Sequence, residues 1–291
     1  MNVLEACDFP PSGTEVDLAV SGGPDSLGLL LLALDAGLRA RVHHVDHHVR
    51  AASAEDARFV TEVCARYDVA CVVHDARVAG GANFEAMARA QRRALLPEGV
   101  LTGHTMDDLA ETVVLNMLRG AGLQGLSPMV EDSSKPLRRV RRRDLHYYVL
   151  EAGLAARYDE TNDSPDHRRN RVRHELLPLM NDVAARDVVP ILARQARLIH
   201  EDRRWLDELS RDDVARPLDA VDCRELATWP VARLTRWLRA HLATHTPQGE
   251  TYAPSAKEMA RALRVVRGEV VACELSGARR LSRRGQRLTL A

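Results

Sequence analysis

With 291 residues, 45% of them apolar and 28% charged, the chain has the make-up of a soluble globular protein expected to form two domains, each able to bury a core. Its formal net charge of zero excludes a uniformly basic nucleic-acid binder, yet the charge is segregated. Residues 1–134 carry 10 Lys and Arg against 19 Asp and Glu, whereas residues 135–291 carry 31 against 22. The five cysteines (Cys7, Cys64, Cys71, Cys223, Cys273) form no C-x-x-C pair, which argues against a zinc ribbon, a cysteine-held cluster or a disulfide framework and points to a reducing cytoplasm. No signal-like run occupies Met1–Gly13, and the apolar stretch Leu27–Leu34 is too short for a bilayer, so a cytoplasmic chain without a membrane partner is expected.

In chain order, the first half alternates. Strands are expected at Val16–Val20, Arg41–Asp46, Val69–His74 and Gly99–Gly103, with helices at Asp25–Gly37, Ala54–Tyr67, Phe84–Leu95 and Met106–Arg119. Ser53 with Asp56 fits a capping box, and Asn83 can cap the third helix. Alternating βα units predict an α/β fold, a parallel sheet with helices on both faces, whose ligands bind beyond the carboxyl ends of the strands. From about Pro136 Arg-rich segments and helices take over (Arg169–Met180, Val183–Ser210, Cys223–His245, Ser255–Arg267). A loop is read at Thr244–Tyr252, and short strands close the chain at Val270–Leu275, Ala278–Ser282 and Arg287–Leu290. The expected division is a domain over 1–183 followed by a smaller, mainly helical domain over 184–291 that ends in short strands.

Between the first strand and first helix lies Ser21-Gly22-Gly23-Pro24-Asp25-Ser26. Glycines let the backbone turn tightly and bring N–H groups close to a ligand, and Pro24 suits a first helical turn. Two hydroxyls beside the positive end of a helix make a phosphate cradle. Asp25 would repel a bare phosphate, so it implies a Mg²⁺ ion between carboxylate and phosphates. Neither a G-x-G-x-x-G nor a Walker-type pattern fits, and the loop resembles that of the N-type ATP pyrophosphatases. Those enzymes cleave ATP between the α and β phosphates.

The fourth helix opens with Gly103-His104-Thr105-Met106-Asp107-Asp108-Leu109-Ala110-Glu111-Thr112. Thr105 with Asp108 fits a capping box, which would explain Asp108 alone. It leaves His104, Asp107 and Glu111 unexplained. Three carboxylates within one turn repel one another unless a cation or an amine substrate sits among them. In the second half nearly every base is Arg, which pairs bidentately with phosphate and stacks on bases, so a polyanionic partner is expected there.

Taken together these motifs resemble those of the tRNA(Ile)-lysidine synthases, nearly end to end. The resemblance rests on SGGPDS (Ser21–Ser26), VHHVDHHVR (Val42–Arg50), NFEAMAR (Asn83–Arg89) and LTGHTMDDLAETVVLNMLRGAG (Leu101–Gly122). It continues through KPLRRVRR (Lys135–Arg142), DETNDSPDHRRNRVRHELLP (Asp159–Pro178) and LSGARRLSRRGQRLTL (Leu275–Leu290). The further C-terminal domain of longer members is expected to be absent. The resemblance implies an adenine nucleotide alpha-hydrolase-like catalytic domain and a carbon–nitrogen ligase that uses ATP and Mg²⁺. Its partners are a tRNA(Ile) with a CAU anticodon and free lysine, with a homodimer left open.

The same resemblance assigns roles. Ser21, Gly22, Gly23, Pro24, Asp25, Ser26, Asp46, His47, Gly103 and His104 are expected around ATP, with Asp25 on the metal. Asp25, Arg89, His104 and Asp108 are the expected catalytic groups, and Asp107, Asp108 and Glu111 the expected lysine site. Arg168, Arg169, Arg171, Arg173 and His174 are the expected tRNA contacts, with Arg138–Arg143 behind them. The cluster Arg279, Arg280, Arg283, Arg284, Arg287 either binds RNA or coats a sheet edge. Departures from the family pattern are His48 for Gly, Leu109 for Gln and Arg92-Arg93 for Arg-Tyr, none of which removes a group the chemistry needs. The rivals are a tRNA thiolation enzyme, which often needs cysteine pairs, and an inactive RNA-binding relative, which need not keep Asp25 beside a phosphate loop.

Overall fold

The computed structural model describes residues 3–46, 53–76, 91, 94–157, 168–245 and 251–291. The chain divides into two compact units, Met1–His200 and Glu201–Ala291.

In the first unit, strands β1 (Glu15–Ala19), β2 (Arg39–Asp46) and β3 (Ala70–Asp75) form a parallel sheet in that order, with Leu18 opposite Val42 and Val42 opposite Cys71. Helices α1 (Pro24–Asp35) and α2 (Ser53–Arg66) make the connections. Helix α1 is apolar on nearly every side, and accordingly Leu27 and Leu29–Leu32 are buried. The expected fourth strand reduces to a single bridge, Leu101 with Leu18, on the free edge of β1. Leu101 N donates to Asp17 O (2.8 Å) and Leu101 O accepts from Ala19 N (2.9 Å), but Thr102 N turns away to Ser134 O (2.8 Å). The expected third helix lies largely outside the described residues.

Helix α3 (Met106–Leu118) is followed by a short turn α4 (Leu123–Leu126) and by α5 (Arg142–Glu151), which the Arg-rich sequence concealed. Leu145 and Val149 of α5, four residues apart, are buried against the sheet core. Gly28 lets α1 approach α5 closely: a Cβ there would lie 2.3 Å from Leu145 Cδ1. The expected helix Arg169–Met180 is built in three pieces, α6 (Arg168–Arg171), a π-helical turn (Val172–Leu176) and α7 (Leu177–Ala184). A left-handed Ala185 ends α7, and α8 (Val189–Leu209) begins later than expected. Leu109, Val113 and Val114 of α3 pack with Val172, Leu177 and Leu192 in a second core.

The second unit contains α9 (Arg211–Ala215), α10 (Cys223–Thr228), α11 (Val231–Leu242), a two-residue ladder of β4 (Thr244–His245) with β5 (Thr251–Tyr252), and α12 (Ala256–Arg267). The antiparallel strands β6 (Ala272–Leu275), β7 (Arg279–Arg284) and β8 (Arg287–Leu290) follow. Pro230 splits the expected helix Cys223–His245, holding Trp229 extended at ψ 144°. Trp237, Leu238, Leu242, Val265, Leu281 and Leu288 are fully buried in its core. Three of the five C-terminal arginines donate to backbone carbonyls. Arg279 reaches Leu242 O (2.9 Å), Arg283 reaches Val266 O (2.6 Å) and Arg287 reaches Ala220 O. Arg279 and Arg283 thereby serve the last turns of α11 and α12, where unpaired carbonyls favour a cation.

Candidate functional site: a phosphate loop beside a carboxylate–arginine cluster

The loop Ser21–Ser26 takes the shape its residues dictate. Gly22 sits at φ +92°, a left-handed conformation that favours glycine. Gly23 is the N-cap of α1 and supplies no side-chain cap, with Pro24 in the first turn. The two hydroxyls close the loop from within. Ser21 N donates to Ser26 Oγ (3.1 Å), Ser26 Oγ donates to Gly23 O (2.9 Å), and the two Oγ atoms lie 3.2 Å apart. The segment after Leu101 presses on this loop: a Cβ on Gly103 would lie 2.6 Å from Asp25 O. Only glycine permits that approach.

Asp25 leaves the loop towards α5. One of its carboxylate oxygens lies 2.8 Å from His146 Nε2, and the other accepts from Arg142 Nε at 3.3 Å. Arg142 also donates to Asp108 Oδ1 (2.8 Å) and Glu111 Oε1 (2.9 Å), so one guanidinium joins three carboxylates from two helices. Glu111 is fully buried, and it also accepts from Arg169 Nε (2.7 Å) and Arg173 Nε (2.7 Å). Arg169 Nη2 reaches Asp108 Oδ1 at 2.9 Å. The capping box is present as well: Thr105 N and Oγ1 both donate to Asp108 Oδ2 at 2.8 Å. Asp108 therefore caps α3 with one oxygen and meets guanidinium groups with the other.

Asp107 faces differently. It accepts from Arg142 N (2.7 Å), capping α5, whose own N-cap Arg141 offers no side-chain bond. Arg141 pairs with Asp107 at 3.1 Å and with Asp187. Burial opposes ionisation of Asp108, but Arg142 and Arg169 outweigh it and hold the carboxyl down at about 2. Glu111 is likewise held below the usual carboxylate range, by Arg173 and Arg142 against its burial. The same carboxylates push Arg142 up despite desolvation. Asp108, Glu111 and Arg142 are thus ionised together at neutral pH.

The structure brings together Asp25, Asp108 and Glu111, and sets Asp107 beside them through Arg142. His104 Nδ1 lies 2.8 Å from Thr102 Oγ1, which orients the ring, and the imidazole bears on Asp108 electrostatically. Asp46 is buried at the end of β2, on the side of the sheet where the loop emerges. Of the five basic residues expected to meet RNA, Arg169 and Arg173 point into the carboxylate cluster. Arg171 pairs with Glu175 at 2.9 Å, and Arg168 and His174 are exposed. His47 and Arg89, like His48, Asn83 and Arg92-Arg93, lie outside the described residues.

Sequence reasoning missed the centre of the site. The sequence reading places Arg142 among the tRNA contacts, in Arg138–Arg143, and does not single out His146. The signal available was the period-four pair Leu145 and Val149, which marks a helix with Arg142 in its first turn and His146 one turn later.

Residues 4–180 match the PP-loop domain family. The tRNA(Ile)-lysidine synthase of Thermobifida fusca (strain YX) is 36% identical over 290 residues, covering 93% of this chain and 89% of that protein. That of Nocardia farcinica (strain IFM 10152) is 36% identical over 247 residues, covering 80% and 77%. Among solved structures, the U34-tRNA thiolase NcsA from Methanococcus maripaludis with its [4Fe-4S] cluster superposes with a TM-score of 0.54 at 16% identity, over 68% of this chain and 77% of that one. At that identity the likeness is one of fold.

Proposed function

We infer the chemistry from one premise: the chain belongs to the tRNA(Ile)-lysidine synthase family, and it carries that family's ATP-binding PP-loop domain. We propose that it joins the ε-amino group of free lysine to C2 of the wobble cytidine of tRNA(Ile) with a CAU anticodon. Residues 1–183 would form the catalytic domain and residues 184–291 an RNA-binding domain. The observation that carries this reading is the meeting, through Arg142, of the phosphate-loop Asp25 with the buried carboxylates Asp108 and Glu111.

In the first step the cytosine C2 oxygen attacks the α-phosphorus of ATP and pyrophosphate leaves. Such transfers need positioning and charge neutralisation more than covalent help. Ser21, Gly22, Gly23, Pro24 and Ser26 would hold the phosphates, with Asp46, His47 and Gly103 around the nucleotide. Arg89 and His104 would stabilise charge building on the α-phosphate. One half-exposed carboxylate beside a phosphate loop suits Mg²⁺, which is commonly held by a single carboxylate plus phosphate oxygens, so Asp25 would hold the ion. When bound, Mg²⁺ neutralises charge on the phosphates.

In the second step the lysine amine attacks C2, and AMP leaves with the C2 oxygen. Asp107, Asp108 and Glu111 would receive the ammonium, and one of them takes its proton before attack. In the structure guanidinium groups hold all three of these carboxylates, so the incoming ammonium would exchange one cation for another and leave the carboxylates paired. Arg168, Arg169, Arg171, Arg173 and His174 would meet the RNA, whose target base leaves its stack in an open anticodon loop.

The test is transfer of radiolabelled lysine to unmodified tRNA(Ile) with a CAU anticodon in the presence of ATP and Mg²⁺, with tRNA(Met) as control. Label in tRNA(Ile) alone supports the reading. Absence of label from both, with ATP still bound, would sink it.

A further inference from the structure

Helix α3 carries two chemistries on one stripe. Asp108 and Glu111 lie at its start, and Leu115 and Leu118 follow Glu111 at four and seven residues on the same face, about 6 and 10 Å along the axis. These leucines form one wall of a cavity of about 470 Å³ whose other wall is α6, the π turn and α7. Val172, Leu176 and Leu179 line it, with Arg119, Arg168, Arg171 and Glu175 at its rim. The volume falls in the ~300–1,000 Å³ range of ligand pockets. Pro178 has no N–H to offer a helical bond, and the preceding Leu177 N donates five residues back to Val172 O. That widened turn is a feature that recurs at functional sites.

The rim is cationic. Arg171 neutralises Glu175 through a bidentate pair at 2.9–3.1 Å, and Arg119 and Arg168 make no ion pair among the described residues. Apolar walls with guanidinium groups at their rim suit a flat ring joined to a phosphate. We propose that this cavity is a second RNA subsite, which takes an unpaired nucleotide flanking the modified cytidine: base against Leu115, Leu118 and Leu179, phosphate towards Arg119 and Arg168. The proposal rests on the reaction inferred above, and it gives that reaction a second grip on the same loop.

The test uses the full chain and tRNA(Ile) with a CAU anticodon, carrying 2-aminopurine in turn at each unpaired position beside the wobble cytidine. At one position emission should change on binding. Leu118→Asp and Leu179→Asp should each abolish that change and weaken RNA binding about tenfold, the loss of one base's apolar contact, with ATP affinity and melting temperature kept. Both leucines are already exposed, at 70% and 57%, so folding is not at stake. Unchanged emission and RNA affinity in both variants overturns the proposal. So does a change in self-association with unchanged RNA affinity, which would make the groove a contact between copies. If the unaltered chain binds the RNA but transfers no lysine, the reaction falls while the fluorescence still decides the subsite.

Discussion

The molecule builds the same capping box twice. Thr105 with Asp108 opens α3, and Ser255 with Glu258 opens α12. Both acidic side chains are nearly as buried, at 7% and 8% exposed, and both are held at about 2. What differs is the far oxygen. Glu258 turns it to neutral donors, Ser276 N (2.6 Å) and Ser276 Oγ (2.8 Å). Asp108 turns it to Arg142 and Arg169. Four neutral hydrogen bonds fasten a loop to a helix and finish there. Two guanidinium groups hold a carboxylate that, in the proposed reaction, the lysine ammonium would claim. A depressed pKa marks both, so the nature of the partner, not the size of the shift, separates a structural carboxylate from a candidate working one.

The largest effect should come from the residue that makes the first box unlike the second. Arg142→Ala leaves Asp25, Asp108 and Glu111 short of one cation, and removing one member of a buried ionic cluster costs about 3 kcal/mol. Thermal denaturation should show a melting point lower by several degrees, and lysine transfer should cease. Retention of full transfer would break the comparison.

Next, Asp108→Asn and Glu258→Gln should divide by readout. The first should abolish lysine transfer. The second places an amide donor against Ser255 or Ser276 donors and should cost about 1–3 kcal/mol of stability, with kcat and KM kept.

Acid should act on both boxes in the same sense. Each folded-state pKa lies below its ordinary value, so each carboxylate stabilises the fold above about pH 4 and loses that contribution as pH falls towards about 2. Denaturant titrations across that interval should give a shallower pH dependence in Asp108→Asn than in the parent chain. The smallest effects should be the caps themselves. Thr105→Ala and Ser255→Ala should each lower stability by about 1 kcal/mol in matched denaturant curves, because the local bond is the same in both.

What the sequence discloses follows range. The loop Ser21–Ser26 and the start of α3 are written in consecutive residues, and both form where expected. The parallel order of β1, β2 and β3 follows from the alternation of elements. Arg142 is hidden because its carboxylate partners lie 31 to 117 residues away, and an Arg-rich run reads equally well as solvated surface. The destination of Arg169 and Arg173 is concealed for the same reason. Leu101 shows a subtler limit: its apolar run predicts a strand, but Thr102 leaves the ladder for Ser134, a choice that nothing local announces. Pro230, by contrast, was legible and should have divided the helix.

The carbonyl-bound arginines of the closing sheet bear on how the chain would feel ionic strength. The second half carries nine more basic than acidic residues. Arg279, Arg283 and Arg287 are tethered to backbone carbonyls, which fixes where their guanidinium groups sit. Each phosphate actually neutralised displaces counterions and adds roughly 0.7 to 0.9 to the slope of log affinity against log salt concentration. A nucleic acid held by this half should therefore lose affinity with added salt more gently than a tally of its arginines implies, retaining more of its grip where electrolyte is high.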